Sequence, residues 1–361
     1  MIYVTKTYLP EMKKYIEYLH KIYNSKWITN NGEFVRELEN KLIKYLGVKN
    51  ILLVANGTLA LQIAYKALEL SGEVITTPFS FVATTSSLVW EGLTPVFADI
   101  DSDTLNIDPK IIENKISKQT SCIVPTHVFG NGCDVESIEK LSKQYNLKVI
   151  YDGAHAFGIQ YKNNSILNYG DISIISFHAT KLFHTIEGGA LIINNDTLYE
   201  KVKMMINFGL NSNDEVSVLG INAKMNEFEA AMGLCVLEDI DRIIENRKKI
   251  YDYYMDYLVN CSHVKLQKHN EFCNMNYGYF PVVFDSEEVV KIVIDKLKDH
   301  QIIPRRYFYP SLDKLPYVKS SDSPISNDIA SRILCLPIYE ALELKESERI
   351  INLILNCIKS S

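Results

Sequence analysis

The chain has 361 residues, too many for one small core, so two domains or a large domain with a smaller appendage are expected. Its composition, 47% hydrophobic and 23% charged, is that of an ordinary soluble globular protein, and a formal net charge of −6 gives no electrostatic ground for nucleic-acid binding. No apolar run reaches the roughly 18 residues of a membrane span, and the first twenty residues hold no signal-peptide core, so no membrane association and a cytoplasmic location are expected.

Taken in chain order, residues 10–24 and 33–46 carry apolar side chains at three- and four-residue steps and are predicted helices, joined by the polar turn SKWITNNGE. NILLVANGT followed by LALQIAYKALEL predicts strand, loop and helix. Short strand-like runs follow: GEVITTP, TPVFADI, TSCIVPTHV, LKVIYDGA, DISIISF and GGALIIN, with the amphipathic VESIEKLSKQYN between the third and fourth. Such alternation predicts an α/β fold with a largely parallel sheet. A ligand site is then expected beyond the carboxyl ends of the strands, where Asn56, Pro78 to Phe81, His127, Asp152 and Ser176 stand. From about residue 240 long helical stretches surround the strand-like YGYFPVVF. The expected division is a large domain over 1–240 and a smaller α+β domain over 241–361.

Four stretches carry candidate chemistry. Asp152 closes the run LKVIY, and a carboxylate at a strand end wants a cationic partner, because desolvating it costs several kcal/mol. His155 follows three residues on. Lys181 sits in SFHATKLFHTIEGG among small and aromatic residues; a partly desolvated amine is a nucleophile that forms a Schiff base with an aldehyde. Ser176 lies five residues before it. At 56–58, Asn-Gly-Thr passes from strand to helix, which suits a phosphate. In PFSFVATTSS, Phe81 could stack on an aromatic ring. Each alone has an ordinary explanation: a turn aspartate, a solvated lysine, a helix cap, a core aromatic. Together they describe a site for pyridoxal 5′-phosphate (PLP), whose enzymes are marked by a lysine Schiff base and an aspartate on the ring nitrogen.

The chain resembles the PLP-dependent nucleotide-sugar aminotransferases of the DegT/DnrJ/EryC1/StrS type. The resemblance rests on WITNNGEFVRELE, NGTLALQIA, PFSFVATTSS, PVFADIDSDTLNID, YDGAHAFG, SFHATK, EGGAL and GINAKMNEFEAAMGL, and covers almost the whole chain. It implies the aspartate-aminotransferase (type I) fold. It also implies that Lys181 binds PLP, Asp152 partners the ring nitrogen, and His155 approaches the ring hydroxyl. By the same match Gly57, Thr58 and Ser176 hold the phosphate, and Phe81 stacks on the ring. Asn222 matches an asparagine that reaches the cofactor phosphate of the other subunit, which implies a homodimer with shared active sites. Two positions depart from the family pattern: Ile221, where tyrosine is usual, and Asn131-Gly132, where many relatives carry proline. A branch that dehydrates instead of aminating replaces the lysine with histidine, so Lys181 argues against that outcome.

The resemblance is strongest to enzymes that aminate C4 of dTDP-4-keto-6-deoxy-D-glucose with L-glutamate as donor. A C3-aminotransferase on a dTDP-3-keto-6-deoxyhexose and a UDP-4-keto-sugar aminotransferase remain alternatives. Arg305, Arg306 and Tyr307 are candidate diphosphate contacts, since arginine forks onto phosphate oxygens, with a surface pair beside a packed tyrosine as the alternative; Asn30 is a further candidate substrate contact, and His184 either lines the sugar pocket or is a packed loop histidine. A nicotinamide-dependent sugar oxidoreductase is disfavoured: its GxGxxG is missing, and the nearest stretch, GNGCDV at 130–135, lacks the third glycine. A non-catalytic relative of the fold is disfavoured by Lys181 and Asp152. No metal site is expected. His127, His155, His178 and His184 form no HExxH, and the seven cysteines form no CxxC pair.

Overall fold

A computed structural model describes residues 1–319 and 321–359. Seven strands form the central sheet: β1 (Ile51–Val54), β2 (Glu73–Thr76), β3 (Thr94–Phe97), β4 (Thr120–Val124), β5 (Lys148–Asp152), β6 (Ile172–Ser176) and β7 (Gly189–Ile192). Their spatial order is β1-β7-β6-β5-β4-β2-β3. β7 runs antiparallel to both its neighbours, and every other pair is parallel. The strand sequences are continuous apolar runs because both faces are covered. Leu53, Ile75, Ile123, Val149 and Ile175 enter one core, while Leu52, Val54, Val74, Val124, Ile150 and Ile174 enter the other. Successive side chains thus serve opposite layers.

Helices α1 (Met12–Ser25), α2 (Glu33–Leu46) and α6 (Glu227–Glu238) cover the first core. Helix α3 (Gly57–Ala67) packs in the second; α4 (Val82–Trp90) follows β2, and α5 (Val135–Tyr145) is the amphipathic crossover before β5. The start of α2 is held from outside the helix. Its N-cap is Gly32, and the buried Glu227 carboxylate accepts from the N–H groups of Phe34 (2.9 Å) and Val35 (3.0 Å). An added Cβ on Gly32 would stand 2.3 Å from Glu227 Cδ, so only glycine admits this carboxylate to the orphan donors.

The C-terminal unit is an antiparallel sheet of β8 (Val264–Leu266), β9 (Pro281–Phe284) and β10 (Ile333–Cys335), packed with α8 (Glu287–Asp299) and α9 (Leu344–Lys359). Helix α7 (Ile240–Leu258) joins it to the first unit without a linker: Ile240 and Ile243 lie in the first core, Tyr254 and Leu258 in the C-terminal one. Across the expected boundary at 240, Ile2–Tyr3 pairs in parallel with Ile302–Ile303, and Ile338 donates to the Val4 carbonyl. The first few residues are therefore hydrogen-bonded to the C-terminal unit. No helix among the described residues is long and apolar enough to cross a membrane.

Candidate active site

Asp152 ends β5 and is 4% exposed. Its Oδ2 accepts from Thr84 Oγ1 at 2.7 Å, and its Oδ1 from the Ala154 N–H at 3.1 Å. Thr84 comes from α4 and shares a 2.7 Å hydroxyl contact with Ser80, to which Thr126 donates at 3.2 Å. Burial raises the affinity of Asp152 for a proton; the Thr84 and Ala154 donors and the nearby Lys181 oppose that rise. No cation lies within ion-pair distance of it among the described residues, so the fixed carboxylate retains acceptor capacity toward the cavity.

Lys181 sits in the turn after β6, its N–H bonded to the His178 carbonyl at 2.8 Å. Its Nζ lies 3.5 Å from Tyr279 Oη, at the edge of hydrogen-bond range. The side chain is half-buried, and the packing around the amine lowers its pKa from 10.5 to about 8. Arg305 lowers it further and Asp152 opposes. A lysine tuned this way is a base and a nucleophile near neutral pH.

The N-terminus of α3 supplies an anion cradle. Asn56 Oδ1 caps the Leu59 N–H at 2.9 Å, leaving Gly57 and Thr58 on the cavity. A Cβ on Gly57 would stand 3.1 Å from Ser176 Cβ, and one on Gly189 would meet the Asn56 and Gly57 backbone at 2.7 Å. Both glycines keep β6, β7 and the helix end close enough to share one anion. His155 is buried and accepts from the Phe129 N–H through Nδ1 at 3.2 Å, so Nε2 carries the proton of the neutral ring. Burial holds it well below the usual histidine range. Its ring lies parallel to Phe308, with centroids 5.8 Å apart, and tilts against Tyr279 at 4.6 Å. Phe81, an apolar residue left 48% exposed, forms part of the rim.

These groups converge on one cavity of about 320 Å³. Gly57, Thr58, Phe81, Asp152, His155, Ser176, Lys181, Arg305 and Tyr307 all line it. Four expected residues do not. His184 is 1% exposed and fully bonded, Nε2 to the Tyr8 carbonyl at 2.7 Å and Nδ1 to the Ile186 N–H at 3.2 Å. It is a packed loop histidine and does not line this cavity. Arg306 turns away from its neighbour: it bonds Glu287 Oε1 and the carbonyls of Ala330 and Ser331, and covers the Tyr309 ring. The expected arginine pair is thereby divided. Asn30 lines a separate groove of about 770 Å³, with Asn207 and Lys224. Asn222 is exposed, away from its own chain's cavity, and forms an isolated bridge with Asn207.

Sequence reasoning gave no role to Thr84, Tyr279 or Phe308. Thr84 lies within PFSFVATTSS, but its partner is 68 residues away. Tyr279 lies 98 residues from Lys181 in the run YGYFPVVF, where nothing distinguishes it from a core aromatic. Among the described residues no group of three or more His, Cys, Asp or Glu is placed to hold a metal ion.

The profile of the DegT/DnrJ/EryC1/StrS aminotransferase family matches residues 10–355. The chain belongs to that family. It is 42% identical over 359 residues to dTDP-4-amino-4,6-dideoxy-D-glucose transaminase of Shigella dysenteriae, covering 98% of both chains. The fold of this family member superposes on DesI, solved in the presence of its TDP-sugar product, with a TM-score of 0.94 at 31% identity over 99% of this chain and 93% of that one. It also superposes on NtdA of Bacillus subtilis, solved with bound cofactor PMP, with a TM-score of 0.89 at 26% identity over 96% and 82% of the two chains. The family's aminotransferases use PLP, and this site fits it: the cradle that a Cβ would fill, the depressed amine and the uncompensated carboxylate match its phosphate, aldehyde and ring nitrogen.

Proposed function

We propose that this PLP-dependent aminotransferase moves an amino group from L-glutamate to C4 of dTDP-4-keto-6-deoxy-D-glucose, giving dTDP-4-amino-4,6-dideoxy-D-glucose. The observation that carries the reading is the pairing of Lys181 and Asp152 in one cavity of a chain 42% identical, end to end, to a transaminase of that name. When bound, PLP supplies an aldehyde that carries the nitrogen and a ring that takes up an electron pair. Asp152, its carboxylate fixed by Thr84 and Ala154, would partner the ring nitrogen and hold its proton. Gly57, Thr58 and Ser176, which line the cavity, would hold the phosphate, and Phe81 and His155 would hold the ring. The Lys181 amine would remove the donor's α-proton. In the second half it returns a proton to the sugar carbon that receives the nitrogen.

The reading includes a homodimer. Asn222 and the exposed apolar side chains Phe208, Leu219 and Ile221 lie together on the segment that follows the Asp196–Met205 helix, off their own cavity. This arrangement supports a segment that completes the partner's phosphate site. Mixing inactive Lys181→Ala with inactive Asn222→Ala subunits tests it: regained activity supports shared sites, and none removes them. For the substrate, the enzyme is incubated with L-glutamate and, separately, dTDP-4-keto-, dTDP-3-keto- and UDP-4-keto-6-deoxy sugars. NMR showing nitrogen at C4 of the dTDP-sugar supports the reading. Nitrogen at C3, or on the UDP-sugar alone, replaces it with the corresponding alternative.

A further inference from the structure

Lys181 stands in the loop between β6 and β7, which closes on itself. The Phe177 N–H donates to the Gly188 carbonyl at 2.9 Å, and the Thr185 N–H to the Phe177 carbonyl at 2.9 Å. Near its end the loop passes through Ile186 at φ +73°, a left-handed conformation that a β-branched side chain disfavours. Ile186 is 44% exposed, so burial of its side chain does little to hold it there. Its N–H donates to His184 Nδ1 at 3.2 Å, and His184 Nε2 donates to the Tyr8 carbonyl at 2.7 Å. Both ring nitrogens are thereby spent, and the ring is buried. His184 has no donor or acceptor left for a substrate, yet it fixes the one turn of this loop that runs against the preference of its residue.

The Tyr8 carbonyl belongs to a strap, residues 2–8, that meets both sides of the active site. Ile2–Tyr3 pairs with Ile302–Ile303, the stretch that runs on to the cavity residue Arg305, and Val4 packs in one core cluster with Phe308. Thr5 Oγ1 lies 3.5 Å from the carbonyl of Thr180, the residue before Lys181. The Tyr8 side chain anchors the far end: its Oη donates to Asp239 Oδ2 at 2.8 Å and accepts from Arg242 at 2.7 Å. Among the described residues, His184 alone bonds both Ile186 and this strap. We propose that His184 is a positioning residue for the reaction: by tying Ile186 to the Tyr8 carbonyl, it holds the loop in the conformation that turns the Lys181 amine into the cavity. This rests on the aminotransferase reading above.

The test uses holoenzyme with L-glutamate and whichever keto sugar wild type aminates. His184→Phe keeps a ring and loses both hydrogen bonds. His184→Gln keeps a donor for the Tyr8 carbonyl, and His184→Asn keeps an acceptor for the Ile186 N–H. In His184→Phe, kcat should fall by about tenfold to a hundredfold with KM for both substrates within about threefold, since a displaced reacting group costs rate and not binding. His184→Gln and His184→Asn should lie between it and wild type. A second readout needs neither substrate nor cofactor. In apoenzyme, the pH midpoint for reductive methylation of Lys181 should rise in His184→Phe, from about 8 for the packed amine toward 10.5. A folded His184→Phe with wild-type kcat, a loss confined to KM, or an unmoved methylation midpoint overturns the proposal and leaves the histidine a packing residue. Should His184→Phe not fold, the other two variants decide: kcat lower by about threefold or more in either supports the proposal, and wild-type kcat in both overturns it. If wild type aminates no keto sugar, the aminotransferase reading falls, while the methylation midpoint still decides whether His184 positions the amine.

Discussion

The cavity has two sides built on different principles. On the sheet side, Asp152, Ser176, Gly57 and Lys181 stand at or just after strand ends, and Asp152 is held by neighbours that leave it one position. On the C-terminal side, Tyr279, Arg305, Tyr307 and Phe308 are held mostly by ring packing, and Arg305 keeps its donors free. On the proposed reading the sheet side carries chemistry common to any amino transfer, which suits groups fixed before a substrate enters. The C-terminal side meets two substrates in turn and is suited to selecting between them. Hydrogen-bonded rigidity belongs with the first task and unspent donors with the second.

The largest expected effects test the sheet side. Lys181→Ala should reduce turnover to background and remove the cofactor's lysine-bound absorption band. Asp152→Asn should lower kcat on the order of a thousandfold, while the melting temperature moves by only a few degrees, since the amide oxygen still accepts from the Ala154 N–H and the Thr84 hydroxyl can turn to accept from the amide nitrogen. Full activity in either variant breaks the assignment of chemistry to this side. Next is Gly189→Ala, whose Cβ meets backbone that cannot yield. It should cost about 1–3 kcal/mol of stability and weaken PLP retention, read by dialysis and absorbance. Retention like wild type would show that the cradle does not need this close approach.

Smaller effects sharpen the contrast on the C-terminal side. Arg306→Met should destabilise by about 1–3 kcal/mol in urea, through the unmet carbonyls of Ala330 and Ser331. KM for both substrates should stay within about threefold, and a large rise in KM would return Arg306 to the site. The smallest effect is the pH dependence of the apoenzyme. With Lys181 near 8 folded and 10.5 free, the unfolded chain holds more protons between those values. Stability from this amine is therefore least below pH 8 and rises across the window. Urea midpoints of apo wild type against Lys181→Met from pH 7.5 to 10 read it, and a wild-type disadvantage that grew with pH would contradict the depressed amine.

The same division runs through what the sequence made legible. Strands with both faces covered are continuous apolar runs, so all seven sheet strands could be read, along with the residues at their ends. The helices Val82–Trp90, Pro109–Lys115, Asp196–Met205, Glu227–Glu238 and Pro324–Arg332 went unread, Pro109–Lys115 because seven residues give too little periodicity. The C-terminal wall was read only in part. Arg305 and Arg306 are neighbours in sequence yet face opposite ways, a difference set by pairing with Cys335 and by the ion pair with Glu287. His184 looked like a pocket residue by proximity to Lys181, and the Tyr8 carbonyl, 176 residues away, instead satisfies it. Partners so distant leave no local pattern.

The central claim is that the amine at position 181, opposite the carboxylate at 152, carries the cofactor. Borohydride reduction of the purified protein, followed by proteolysis and mass spectrometry, tests it most directly. A pyridoxyl phosphate mass on Lys181 alone is the expected result. That mass on a different lysine, or on none, would contradict the account.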